Sequence, residues 1–136
     1  MNPLWPWAGS SRKYAHLIST IINREGSTRY AEPMVGSGAV LWALSSSGPI
    51  SGIIGDIEVL NADLYRAIRD KVFTLTNKIQ KIPVDKDVFM ELQLNIMDHS
   101  WLDRAAQWYY MLVLCYNGVV KKKDGHPNLS WGDRWR

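Results

Sequence analysis

The chain has 136 residues, 46% hydrophobic and 21% charged, with a formal net charge of +3. That length supports one domain with one core and is too short for two ordinary ones. A single cysteine, Cys115, excludes an internal disulfide and points to a reducing compartment, where it is expected to be buried and inert.

No apolar run approaches the roughly 20 residues that span a bilayer. The N-terminus carries Trp and Pro where a signal peptide would have basic residues and an apolar core. A soluble, cytoplasmic protein with no membrane contact and no metal ligand set is therefore expected. The positive charge is local: Lys121, Lys122, Lys123, Arg134 and Arg136 stand against Asp124 and Asp133 in the last stretch. Such a run suits phosphate contact or a solvated tail. Of seven tryptophans, Trp5, Trp7, Trp131 and Trp135 fall in segments that read as irregular, where they either pack over a small core or stack on a base or adenine ring.

The opening residues 2–11 are extended by Pro3 and Pro6 and end in small residues able to cap a helix. A helix is predicted from near Arg12, with Tyr14, Leu17, Ile18, Ile21 and Ile22 on its apolar face, ending between Asn23 and Gly26. Residues 29–35 read as a short buried strand. Gly36 and Gly38 then let the backbone turn sharply and approach a ligand closely at the start of a helix over 39–44. Alone, this G-x-G is either a ligand loop or a plain strand-to-helix turn. A second buried strand is predicted over 50–57. Its terminal Asp56 lies about 20 residues beyond Gly36, the place where parallel α/β sheets hold ribose hydroxyls. The alternative is that Asp56 only caps the next helix, predicted over 59–72 with Leu60, Leu64, Ala67 and Ile68 inward.

From about Val84 the pattern changes. Val88, Phe89, Leu92, Ile96 and Met97 predict an amphipathic helix, and Ser100 with Asp103 can cap a further, aromatic-rich helix over 101–116 that stops at Asn117-Gly118. Residues 119–131 then read as a β-hairpin with a basic tip and an Asp124-Gly125 turn.

Four segments in order resemble DNA adenine methyltransferases of the Dam type, the D12 class that uses S-adenosylmethionine. Trp7-Ala8-Gly9 is similar to the opening K-W-A-G-G-K, and residues 32–40 (Glu32-Pro33-Met34-Val35-Gly36-Ser37-Gly38-Ala39-Val40) to E-P-F-V-G-x-G-x-V. Asp56-Ile57 with Leu64-Tyr65 resembles D-I-N…L-Y. Tyr116-Asn117-Gly118 and Asn128-Leu129-Ser130-Trp131-Gly132 resemble F-N-G…F-N-x-P-F-G. The resemblance implies an α/β fold: an incomplete Rossmann-like methyltransferase sheet with a helical DNA-recognition-like subdomain and a C-terminal β-hairpin. It divides the chain into a cofactor-binding-like part, 1–82, and a helical and hairpin part, 83–136, packed as one compact unit.

The resemblance also assigns roles. Gly36 and Gly38 pass close to the methionine part of the cofactor, Asp56 holds its ribose hydroxyls, and Trp7, Ala8, Gly9, Glu32, Pro33, Met34 and Ile57 lie near it. Asn117, Lys121, Lys122, Lys123 and Asn128 face double-stranded DNA, the lysines supplying affinity through phosphate neutralisation. Several positions depart from the pattern: Pro6 and Ser11 stand where the family has lysines, Glu58 where it has Asn, and Leu112-Val113 where it has Asn-Arg. The catalytic D-P-P-Y, which holds the adenine amino group and stacks on the flipped base, does not occur before the chain ends at Arg136. The expectation is a truncated relative with no catalytic residues of its own, a pseudoenzyme that acts by binding S-adenosylmethionine, DNA or a partner protein. Two alternatives are a phage or mobile-element protein that binds and inhibits a host protein, and half of a split enzyme completed by a D-P-P-Y chain. Strand 29–35, as an apolar edge, is expected to mediate a homodimer or hetero-complex.

Overall fold

A computed structural model describes residues 3–27 and 29–132. The predicted contributions of Arg134, Trp135 and Arg136 lie outside the described residues. The chain forms two compact units, residues 1–57 and 58–136.

In the first unit a 3₁₀ turn, Ser11–Lys13, precedes helix α1, Ala15–Arg24. The buried face of α1 is only in part the predicted one. Ala15 and Ser19 are buried and Ile18 and Ile22 pack beside them, whereas Tyr14, Leu17 and Ile21 are exposed. The reason is its partner: α2, Ala39–Ser45, presents Ala39, Val40 and Leu44, and the small Ala15 and Ala39 let the two helices approach closely. Strand β1, Arg29–Glu32, pairs in parallel with β2, Ser51–Ile54, in the register Tyr30 to Gly52 and Glu32 to Ile54. Both strands are shorter than predicted and neither is buried. In a two-stranded ladder each strand is an edge, and Ile53 is 78% exposed.

In the second unit α3, Val59–Asp70, and α4, Val72–Gln80, both pack on α6, Trp101–Leu114. Leu60, Leu64 and Ala67 of α3 are buried as their spacing predicts. Two polar links join α3 to α6: the Trp108 indole N–H donates to Asn61 Oδ1 at 2.8 Å, and Arg104 pairs with Asp63 at 2.7 Å. Helix α5, Lys86–Asn95, starts at Asp85, whose carboxylate accepts from the Asp87 and Val88 amides. Ser100 caps α6 as predicted: its hydroxyl accepts the Asp103 amide N–H at 3.3 Å and donates to the Asp103 carboxylate at 2.5 Å.

Helix α6 ends at Leu114, two residues earlier than predicted. Cys115 leaves helical geometry to form an antiparallel bridge with Trp131, flanked by Tyr116 N–H to Ser130 O and Gly132 N–H to Leu114 O, both 2.8 Å. Long-range backbone pairing therefore sets the helix end, and the left-handed residues Asn117 and Gly118 follow it. Within the segment so closed, β3, Lys122–Lys123, pairs antiparallel with β4, His126–Pro127. Asp124 and Gly125 both adopt positive φ between them, as a type I′ turn requires. Among the described residues no helix is long and apolar enough to cross a membrane, and no group of three or more His, Cys, Asp or Glu side chains could hold a metal ion.

Candidate functional site

The parallel pairing of β1 and β2 continues past their ends. Gly55 N–H donates to Glu32 O and Val35 N–H to Gly55 O, each at 2.9 Å, so the loop after β1 lies beside the residues after β2. There the Gly36 N–H donates to Asp56 Oδ2 at 2.8 Å. Asp56 does not cap α3; Glu58 does, accepting the Leu60 amide at 3.2 Å. Gly38, in the left-handed region, opens α2 and donates to Val35 O at 2.7 Å.

Three side chains hold this loop from outside. The Trp42 indole N–H donates to Ser37 O at 3.0 Å, and the Ser10 and Ser37 hydroxyls share a hydrogen bond of 3.1 Å. The Trp7 ring lies against Gly36, where a Cβ would stand 3.0 Å from the indole nitrogen, so a side chain at position 36 would push the ring back by a few tenths of an ångström. Between these groups lies a cavity of about 60 Å³, bounded by Trp7, Gly9, Ser10, Glu32, Met34 and Ser37 among others. Glu32 is half-buried, and the Tyr30 hydroxyl donates to it at 2.5 Å. Burial raises the Glu32 carboxyl above its ordinary range, against the opposing effect of that bond. Burial and the neighbouring Glu32 likewise raise Tyr30.

Of the predicted cofactor residues, Trp7, Gly9, Glu32, Met34 and Gly36 border this cavity, and Asp56 is tied to Gly36. Ala8, Pro33, Gly38 and Ile57 do not border it, and Ile57 is fully exposed. Sequence reasoning passed over Ser10 and Ser37. Ser37 was legible as the middle residue of G-x-G, while the reach of Ser10 to it depends on the fold of the N-terminal segment. A larger cavity, about 300 Å³, lies between α1 and α2 and is walled by Arg12, His16, Ser19, Thr20 and Ser46 among others. The Ser19, Thr20 and Ser46 hydroxyls donate to backbone carbonyls of their own helices, and the cavity contains none of the loop's glycines.

In the second unit Asn117, Lys121, Lys122, Lys123 and Asn128 are all exposed in the segment between Cys115 and Trp131. They do not share one face. Lys122 forms an ion pair with Glu58 at 2.9 Å, and the Asn128 amide donates to Lys121 O at 2.8 Å. Trp131 packs edge-on against Phe89, with ring centroids 5.2 Å apart, and Trp5 is buried, so these two irregular-segment tryptophans serve packing.

The family model of D12 class N6 adenine-specific DNA methyltransferases matches residues 7–126. The chain belongs to that class. It is also similar to the Type II methyltransferase M.MjaIII of Methanocaldococcus jannaschii, 26% identical over 156 residues. That match covers 97% of this chain and 52% of the relative, so the chain spans about half the length of the methyltransferase it matches.

D12 methyltransferases use S-adenosylmethionine, and the loop's donor set suits such a molecule. A bound cofactor would find the Asp56 carboxylate beside Gly36 for its ribose hydroxyls and the half-buried Glu32 carboxyl for an amine. Position 36 favours a bare backbone, with its positive φ and the Trp7 ring against it. The volume is the constraint: about 60 Å³ takes one end of a nucleoside-sized ligand, whose pockets run to several hundred Å³. Trp7 is the side chain that bounds it at Gly36.

Proposed function

We propose that these residues form the cofactor-holding and DNA-facing portion of an adenine-specific DNA methyltransferase. S-adenosylmethionine binds along the Rossmann-like loop of Trp7, Glu32, Gly36 and Asp56, and duplex DNA binds along the basic excursion after α6. Residues 1–82 then serve the cofactor and residues 83–136 the DNA. The observation that carries the reading is the Gly36 to Asp56 hydrogen bond at 2.8 Å. It brings a carboxylate acceptor and a bare glycine backbone together beyond the carboxyl ends of adjacent parallel strands, the position at which α/β sheets hold ligands. On binding, the Trp7 ring turns away from Gly36 to admit the nucleoside and then covers it.

The test is a titration with S-adenosylmethionine, followed by calorimetry and by tryptophan fluorescence. Saturable binding is expected, weakened about tenfold or more in Asp56→Ala through loss of a charge-assisted hydrogen bond. Wild-type protein that shows no heat and no fluorescence change at millimolar ligand removes the cofactor half. D-P-P-Y is not among these residues, so methyl transfer to DNA by these residues alone is not expected. A second reading, association with another chain through segment 29–35, is favoured by the edge of β1 that no described strand covers and by Met34, 82% exposed just beyond it. A monomer in sedimentation over a wide concentration range removes it.

A further inference from the structure

We propose that Lys122 is an anchor rather than a phosphate contact, and that the surface meeting duplex DNA is the outer face of the excursion, built by Lys121, Lys123, His126 and Asn128. The proposal deepens the DNA half of the reading above and rests on it.

Successive side chains in a strand point to opposite faces, and directly paired residues share one. The register pairs Lys122 with Pro127 and Lys123 with His126, and the Asn128 to Lys121 hydrogen bond extends it by one step. Lys122 and Pro127 therefore lie on one face, and Lys121, Lys123, His126 and Asn128 on the other. Burial identifies the inner face. Pro127 is buried, as is Leu129 beyond it, while His126 and Asn128 are exposed.

The ion pair agrees with this assignment. Lys122 Nζ lies 2.9 Å from Glu58 Oε2, and the Glu58 side chain is only 9% exposed. The other Glu58 oxygen accepts the Leu60 amide at the start of α3. A carboxylate so far removed from water holds its cation firmly, and drawing Lys122 away to a phosphate would cost that ion pair. The frame resists slippage: the Asp124-Gly125 turn sets the register at one end and the Cys115 to Trp131 bridge closes the other. Two ammonium groups with an imidazole and a carboxamide on one exposed face suit the closely spaced anionic oxygens of a phosphodiester backbone.

The experiment measures binding of a short fluorescein-labelled DNA duplex to the whole chain between about 50 and 200 mM salt. Lys121→Gln and Lys123→Gln are each expected to lower the log–log salt slope by about 0.9. Lys122→Gln is expected to leave the slope unchanged. Lys122→Glu should weaken binding about tenfold, and the charge-swapped pair Glu58→Lys with Lys122→Glu should bind about tenfold tighter than expected from the two single variants combined, the Glu58→Lys single variant carrying the cost of the lost α3 cap. A phosphate-contacting Lys122 could not be rescued this way, because position 122 would be acidic. A slope that falls in Lys122→Gln as in Lys121→Gln, or a swap that fails to rescue while circular dichroism shows a folded protein, overturns the proposal. Amide exchange at Asn128, faster in Lys122→Glu and restored in the swap, reads the anchor without DNA. If wild-type protein binds no duplex at low salt, the DNA reading itself falls, and the outer face falls with it.

Discussion

Replacing Gly36 by Ala isolates the most constrained point of the loop. Gly36 has a φ of +49°, where an ordinary residue costs about 1–2 kcal/mol. Its added Cβ would also meet Trp7 Nε1 at 3.0 Å and Cδ1 at 3.2 Å, forcing the indole to shift by a few tenths of an ångström. Displacing that ring from its rotamer adds about 0.5–1.5 kcal/mol, so Gly36→Ala should destabilise the first unit by about 2–3 kcal/mol. The backbone N–H survives the substitution, so the bond to Asp56 is not what is lost. In a Trp7→Ala background only the backbone cost remains, and the two substitutions should be non-additive by about 1 kcal/mol. Urea denaturation of all four proteins, followed by far-ultraviolet circular dichroism, measures this coupling. Strict additivity would mean that the Trp7 ring does not rest on Gly36, and the description of the loop as closed by Trp7 would fail.

Two further outcomes follow from the buried polar groups. Trp108→Phe removes the donor to Asn61 where both residues are fully buried, and should lower stability by about 1–3 kcal/mol in thermal unfolding, with an unchanged midpoint counting against that bond. Burial raises the Glu32 carboxyl in the folded chain, so the folded state holds this proton to higher pH than the unfolded state does. Stability should therefore fall as pH rises from the ordinary carboxylate range through the raised value and then level off. Glu32→Gln should remove that part of the slope in urea midpoints, and an identical pH profile would refute it.

The features legible in the sequence were those set by local chemistry. Leu60, Leu64 and Ala67 follow helical spacing on α3, Ser100 precedes Asp103 by the capping interval, and the Gly36 to Asp56 spacing marks the two loops that follow paired parallel strands. The family followed from the order of such segments. What escaped depends on partners distant in sequence. The break between α3 and α4 falls at Lys71, which departs from helical geometry without a glycine or proline to announce it. The true face of α1 is chosen by the alanines of α2, not by its own bulkiest residues. The end of α6 is set by Trp131, and Lys122 is diverted by Glu58, a residue that reads in sequence only as a departure from the family's asparagine.

The bridge between Cys115 and Trp131 also bears on how readily such a chain can change. Its two strands meet at the stem, Gly132 approaching so closely that a Cβ would lie 2.9 Å from Leu114 O, and residues 116–130 leave and return at one point. A segment with joined stems is a replaceable cassette. Doubling its length adds only about 0.6 kcal/mol of closure entropy, and its contents can be rewritten provided Pro127 and Leu129 keep their buried seats and Lys122 keeps its ion pair with Glu58. A graft between Tyr116 and Ser130 would therefore change the exposed face of this segment while α3, α4 and α6 stay as they are.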